Sequence, residues 1–112
     1  MGFYDLPKAE REKCCQDIQN DILRGLRQGD FTVSTAYFND SDTYIRKAAY
    51  LGAGKIFKQK QIDTNTIIAM LDMLIKSDSE RIRQTVINAA GEIAMLDFAC
   101  VEHLFDIARI IR

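Results

Sequence analysis

The chain has no tryptophan, one proline (Pro7), one histidine and three cysteines. A single proline and six glycines among 112 residues exclude a loop-rich or collagen-like chain. No apolar run of about 18 residues is present, which excludes a membrane-crossing helix. The start, MGFYDLPKAEREK, lacks the apolar centre of a secretory signal. Leu6 stands where an N-myristoylation motif needs Ser or Thr. Cys14, Cys15 and Cys100 are odd in number and two are adjacent, so reduced thiols in a cytoplasmic protein are expected, not a disulfide framework. Fifteen basic residues against sixteen acidic leave a net charge of −1, so no global field draws the chain to nucleic acid or a membrane surface.

What is present is 47% hydrophobic and 28% charged residues, enough for one soluble globular domain with one core. After Pro7 the stretch KAEREKCCQDIQNDILRGLRQG places Cys15, Ile18, Ile22 and Leu26 at helical spacing, with Gly29 as its stop. FTVSTAYF, residues 31–38, fits a short helix or a strand. Asp42 is placed to cap a helix with Ile45, Ala48, Ala49, Gly52 and Ile56 on one stripe. A polar break, KQKQIDTN, precedes a helix at 66–76. Ser79 then caps another, striped by Ile82, Val86, Ala89 and Ile93, and a last helix runs from Val101 to Arg112. No segment alternates as a strand does, so the expected class is all-α.

Two of these helices share a skeleton. DTYIRKAAYLGAGKI (42–56) and SERIRQTVINAAGEI (79–93) align at an offset of 37 residues, with Ile45-Arg46 on Ile82-Arg83, Ala53-Gly54 on Ala90-Gly91 and Ile56 on Ile93. The register carries into the next helices, where Ile67 meets Leu104 and Leu74 meets Ile111. Such a period belongs to helical solenoids. The pattern Asp, two or three residues, Ile-Arg, Ala-Ala and a late Gly-x-Ile resembles the second helix of a HEAT repeat, of the short HEAT-like type of the phycobilisome lyases. The second copy departs from it by placing Ser77 and Ser79 where the first has Asp40 and Asp42. The tetratricopeptide signature is absent.

The resemblance, which covers roughly residues 31–112, implies a right-handed α-α superhelix spanning residues 1–112 as one domain. It would hold an N-terminal helix (7–29), two repeats (31–63 and 64–97) and an unpaired helix (101–112) that opens a third. Gly52 and Gly54 lie mid-helix, where each costs about 1 kcal/mol relative to Ala. A closely stacked neighbour is the expected reason, and the same is expected of Gly91. Ala48, Ala49, Ala53, Ala89 and Ala90 fit such stacking. Arg46 and Arg83 are expected to pair with acidic turns beside them, Asp42 included, as a structural ladder between units.

Candidate chemistry is sparse. LGAGKI (51–56) resembles a phosphate loop, but Ala49 and Ile56 replace its first Gly and its Ser/Thr, and it lies within a helix. Cys100 and His103 have the spacing C-x-x-H without a second pair to complete a metal site. No catalytic residue, metal ligand or cofactor is therefore assigned, and a non-enzymatic protein is expected.

Between Tyr44 and Lys60 stand five basic residues (Arg46, Lys47, Lys55, Lys58, Lys60) and no acid. At 100° per residue from Ile45, Lys47, Tyr50 and Lys58 project opposite the buried stripe, and Gln84, Asn88 and Met95 occupy the matching face of the second copy. The second helices of HEAT arrays line the concave surface, so the resemblance makes these six the candidate ligand face. A solvated face with lysines suited to a helix C-terminus explains the same residues more simply. The expected function is a protein-interaction scaffold. The alternative is a relative or fragment of the HEAT-like alkylpurine DNA glycosylases, disfavoured by the absent tryptophan and the lack of net positive charge. Val101, Leu104, Phe105, Ile107, Ala108, Ile110 and Ile111 spread around most of the last helix. Either a longer protein or self-association through that helix is expected to cover it.

Overall fold

The computed structural model describes residues 2–111, with Ile111 described through its backbone only; Arg112, the expected end of the last helix, lies outside the described residues. Among the described residues a short 3-10 turn, Phe3–Asp5, precedes six α-helices and there is no strand. The helices are α1 (Lys8–Arg27), α2 (Thr32–Phe38), α3 (Thr43–Lys58), α4 (Thr64–Leu74), α5 (Glu80–Asp97) and α6 (Glu102–Ile111). The all-α class holds. The ambiguous stretch at 31–38 is helical as α2. Asp30 accepts from the Thr32 backbone N–H (3.0 Å), and Thr35 Oγ1 donates to the Phe31 carbonyl (2.8 Å). Phe38 is fully buried at its end, and that tertiary burial outweighs the weak helix preference of Thr and Val. Helix α4 starts within the expected polar break, because Asp63 accepts from the Asn65 N–H and opens the helix at Thr64.

Helix α3 lies between α1 and α5 and makes its most extensive contacts with them. The three run in the same direction. Phe3 meets Asp42 ahead of α1 and α3 and Gln19 meets Gly52 further along; Asn39 meets Ser79 ahead of α3 and α5 and Gly54 meets Glu92 further along. Helix α2 packs on α1, α3 and α5, α4 packs mainly on α5, and α6 packs on α5. Ile22, Phe38, Ala49, Ala53, Ile56, Ile67, Met70, Leu71, Val86, Ile93, Val101 and Leu104 are closed to solvent and form one core cluster. Apolar burial of this kind stabilises by roughly 25 cal/mol per Å², which holds these short helices in place.

The internal repeat is written in hydrogen bonds. Arg46 Nη1 donates to the Asp40 carbonyl at 2.6 Å, and Arg83 Nη1 donates to the Ser77 carbonyl at 2.7 Å. Asp42 N–H donates to Asp40 Oδ1 (2.8 Å), and Ser79 N–H donates to Ser77 Oγ (3.1 Å). Asp42 and Ser79 are both N-caps. All of these positions match at the offset of 37. The departure of the second copy from the first is thus chemically mild, since a serine oxygen does the work of the carboxylate.

The expected ion pairs are corrected here. Arg46 and Arg83 bind backbone carbonyls, with Arg46 also donating to Thr43 Oγ1; beside Arg46 the carboxylates of Asp40 and Asp42 accept from backbone amides, and beside Arg83 the corresponding positions are the serines Ser77 and Ser79. Asp42 accepts from the N–H groups of Phe3 (2.8 Å) and Tyr44 (2.9 Å), and these amides hold its carboxyl below the usual range. Links between successive units do exist, and they converge on the caps. Phe3 reaches Asp42, while Ser79 Oγ donates to Asn39 Oδ1 (2.9 Å) and Thr85 Oγ1 to the Phe38 carbonyl (3.1 Å).

Of the repeat's mid-helix glycines Gly52, Gly54 and Gly91, the first two behave as expected. A Cβ on Gly52 would lie 3.3 Å from Gln19 Cβ, and one on Gly54 would lie 2.8 Å from Glu92 Cβ. Gly91 is the correction: a Cβ there meets nothing within 4 Å. It occupies Gly54's register position, but no helix among the described residues lies beside it as α5 lies beside α3.

Helices α1 and α3 also end alike. Gly29 (φ +66°) and Lys60 (φ +53°) sit in the left-handed region, and Asp30 N–H and Gln61 N–H reach back to the Gly25 and Ile56 carbonyls.

Candidate functional site

The side of α3 turned away from the core carries Tyr44, Lys47, Lys55 and Lys58, all exposed, with half-buried Leu51 between them. Two grooves flank it. One of about 430 Å³ lies between α1 and α3, where Lys8, Glu12, Gln16, Leu51 and Lys55 surround the Gln19–Gly52 contact. The other, of about 350 Å³, lies between α3 and α5 and is lined by Leu51, Lys55, Lys58, Glu92, Met95 and Leu96. Close approach at the two glycines draws the helices together beneath these grooves, so the sequence feature that permits stacking also shapes the surface.

The six residues expected to share a face are distributed as follows. Lys58 and Met95 come together in the α3–α5 groove. Lys47 and Asn88 are exposed on α3 and α5. Tyr50 is half-buried against the core, one turn before Gly54, on the flank of α3 that meets α5. Gln84 lies in a separate hollow with Asn39, Arg46, Ser79, Glu80 and Arg81, and its amide donates to Glu80 Oε1 at 3.3 Å. The ladder residues Asp42, Arg46 and Arg83 serve the caps described above.

Leu51, and Lys55 that the sequence marks only as one of five basic residues, stand outside the expected face of six, and they line both grooves. The signal was available, since both fall on the arc between Lys47 and Lys58 at helical spacing. Among the described residues none of Lys47, Lys55 and Lys58 makes an ion pair within 4 Å. The nearest acids lining the grooves, Glu12 and Glu92, stand on the neighbouring helices.

Cys100 and His103 are each engaged elsewhere. Cys100 Sγ donates to the Asp97 carbonyl (3.2 Å), while His103 Nε2 lies 2.6 Å from Asp72 Oδ1 on α4. Burial, and then the neighbouring Asp97, push the Cys100 thiol up, away from the thiolate that a nucleophile or metal ligand requires. Among the described residues no group of three or more His, Cys, Asp or Glu side chains is placed to hold a metal ion. No described helix is long and apolar enough to cross a membrane. Comparison with protein-family models, curated proteins and solved structures finds no match for the chain.

Proposed function

We propose that this chain is a non-enzymatic interaction module, a short HEAT-like solenoid whose parallel helices α1, α3 and α5 present their open side to a protein partner. The observation that carries the reading is the row Lys47–Leu51–Lys55–Lys58, three unpaired cations around an apolar centre with a groove on each side. That chemistry suits an acidic segment with an apolar anchor: the lysines give steering and register, and Leu51 gives desolvated contact. The repeat supports the architecture through its recurring caps and arginine–carbonyl bonds.

The test is affinity capture of the partner by wild-type protein, by Lys55→Glu and by Lys13→Glu, a charge reversal on exposed α1. Loss with Lys55→Glu alone supports the reading, and equal capture by all three removes it. Salt-dependent binding of duplex DNA through the same lysines would instead favour a relationship to the HEAT-like DNA glycosylases.

A further inference from the structure

The two grooves beside the lysine row differ in where their charges stand. In the α3–α5 groove the cations Lys55 and Lys58 lie together in the last turn of α3, and α5 adds the acid Glu92. In the α1–α3 groove the cations stand at both ends. Lys8 and Arg11, in the first turn of α1, line one end, and Lys55 lines the other. Glu12 is the one acid lining the groove with these three cations. Among the described residues none of the three makes an ion pair within 4 Å. Gln19 of α1 is level with Gly52 of α3, so Lys55 is level with Ile22. The cations at the two ends therefore lie about 16–21 Å apart along the helix axis, or about three to four turns.

Between the ends the groove is apolar. Its floor is buried Ala48 and Gly52, with half-buried Leu51 and Cys15 at its sides. Phe3, ahead of α1 and α3, closes the end at Lys8 and Arg11. Arg11 is already held in place: Nη1 donates to the Leu6 carbonyl at 2.9 Å, and the guanidinium lies 5.1 Å from the centre of the Tyr4 ring. Little side-chain freedom is left for it to lose on binding.

A floor of two small residues between two parallel helices takes the ridge of a third helix. The core side of the same α1–α3 pair already seats one, α2. Cations at both ends and an apolar centre call for acids at both ends and apolar side chains between them. We infer, resting on the open-face reading above, that the α1–α3 groove is the docking site for an amphipathic helix of a protein partner, about four turns long, with acidic residues in its first and last turns and apolar residues between. Lys8 and Arg11 of α1 thereby join Leu51 and Lys55 of α3 in the interface.

Fluorescence anisotropy of a labelled peptide of that design tests it, with glutamates confined to the first and last turns and leucines on the central face. Three variants are compared with wild type. Of the two grooves, Lys8→Glu alters only the α1–α3 groove, Lys58→Glu only the α3–α5 groove, and Lys55→Glu both. An acid at position 8 suits the N-terminal end of the α1 dipole, so helical circular dichroism is expected to hold. Lys8→Glu and Lys55→Glu are each expected to weaken binding about fivefold or more, and Lys58→Glu less than about twofold. Of two peptides carrying lysines at one end or the other, one is expected to restore binding to the Lys8→Glu protein. Weakening by Lys55→Glu and Lys58→Glu with Lys8→Glu unaffected would overturn the α1–α3 groove and leave the open face standing. Restoration by neither reversed peptide would overturn the end-to-end placement of charge. A wild-type chain that ignores the peptide, or binding indifferent to all three variants, would overturn the groove and the open face together.

Discussion

Gly54 on α3 and Glu92 on α5 approach so closely that a Cβ on the glycine would stand 2.8 Å from the Cβ of the glutamate. Gly91, at the same place in the second copy, has open space. The two glycines therefore respond oppositely to the same substitution. Gly54→Ala gains about 1 kcal/mol of helix propensity but forces two helix backbones apart, for a net destabilisation of about 1–2 kcal/mol. Gly91→Ala gains propensity without a clash and is expected to stabilise by up to about 1 kcal/mol. Urea midpoints read both.

Gly29 and Lys60 end their helices in the same left-handed conformation, but only one is the residue suited to it. A lysine there carries a steric cost that glycine lacks. Lys60→Gly is expected to stabilise by about 0.5–1 kcal/mol, after allowance for the greater freedom of glycine in the unfolded chain. Thermal unfolding of the variant beside wild type checks this. An unchanged or lowered midpoint would contradict the cap assignment.

Tyr37 joins α2 to α1 through its hydroxyl, which donates to Asp21 Oδ2 at 2.6 Å. Burial, then this hydrogen bond to a carboxylate, push its pKa up to about 12 from 10.0. Between those values the folded chain holds a proton that the unfolded chain has released. The contribution of this contact is thus complete below pH 10 and is lost as pH rises toward 12. Tyr37→Phe is expected to flatten the loss of stability across that interval while leaving the other tyrosines in place. A variant whose alkaline profile overlays that of wild type would contradict the assignment.

Helix positions and caps were legible in the sequence because Asp42, Ser79 and Gly29 act through bonds a few residues away. Stacking was legible in Gly52 and Gly54, since two glycines within one mid-helix turn are hard to explain otherwise. Gly91 was misread because a shared sequence position does not carry a shared neighbour. Arg46 and Arg83 were right in place and wrong in partner: a sequence displays carboxylates and hides carbonyls. For the surface, counting from Ile45 found Lys47 and Lys58 but also took in Tyr50. The buried arc is in fact centred between the helices on either side of α3, which turns Leu51 and Lys55 outward and Tyr50 toward α5.

The open face of α3 is tested most directly by fluorescence anisotropy of a labelled glutamate-rich helical peptide with an apolar residue at each turn. Wild-type protein is compared with the variant Lys47→Glu/Lys55→Glu/Lys58→Glu, and duplex DNA serves as the second probe. Wild type is expected to bind the peptide, and charge reversal to weaken binding tenfold or more, about 1.4 kcal/mol, with helical content unchanged. A wild-type chain that ignores the peptide, or a reversed variant that binds it equally well, would contradict the assignment of this face as the interaction surface.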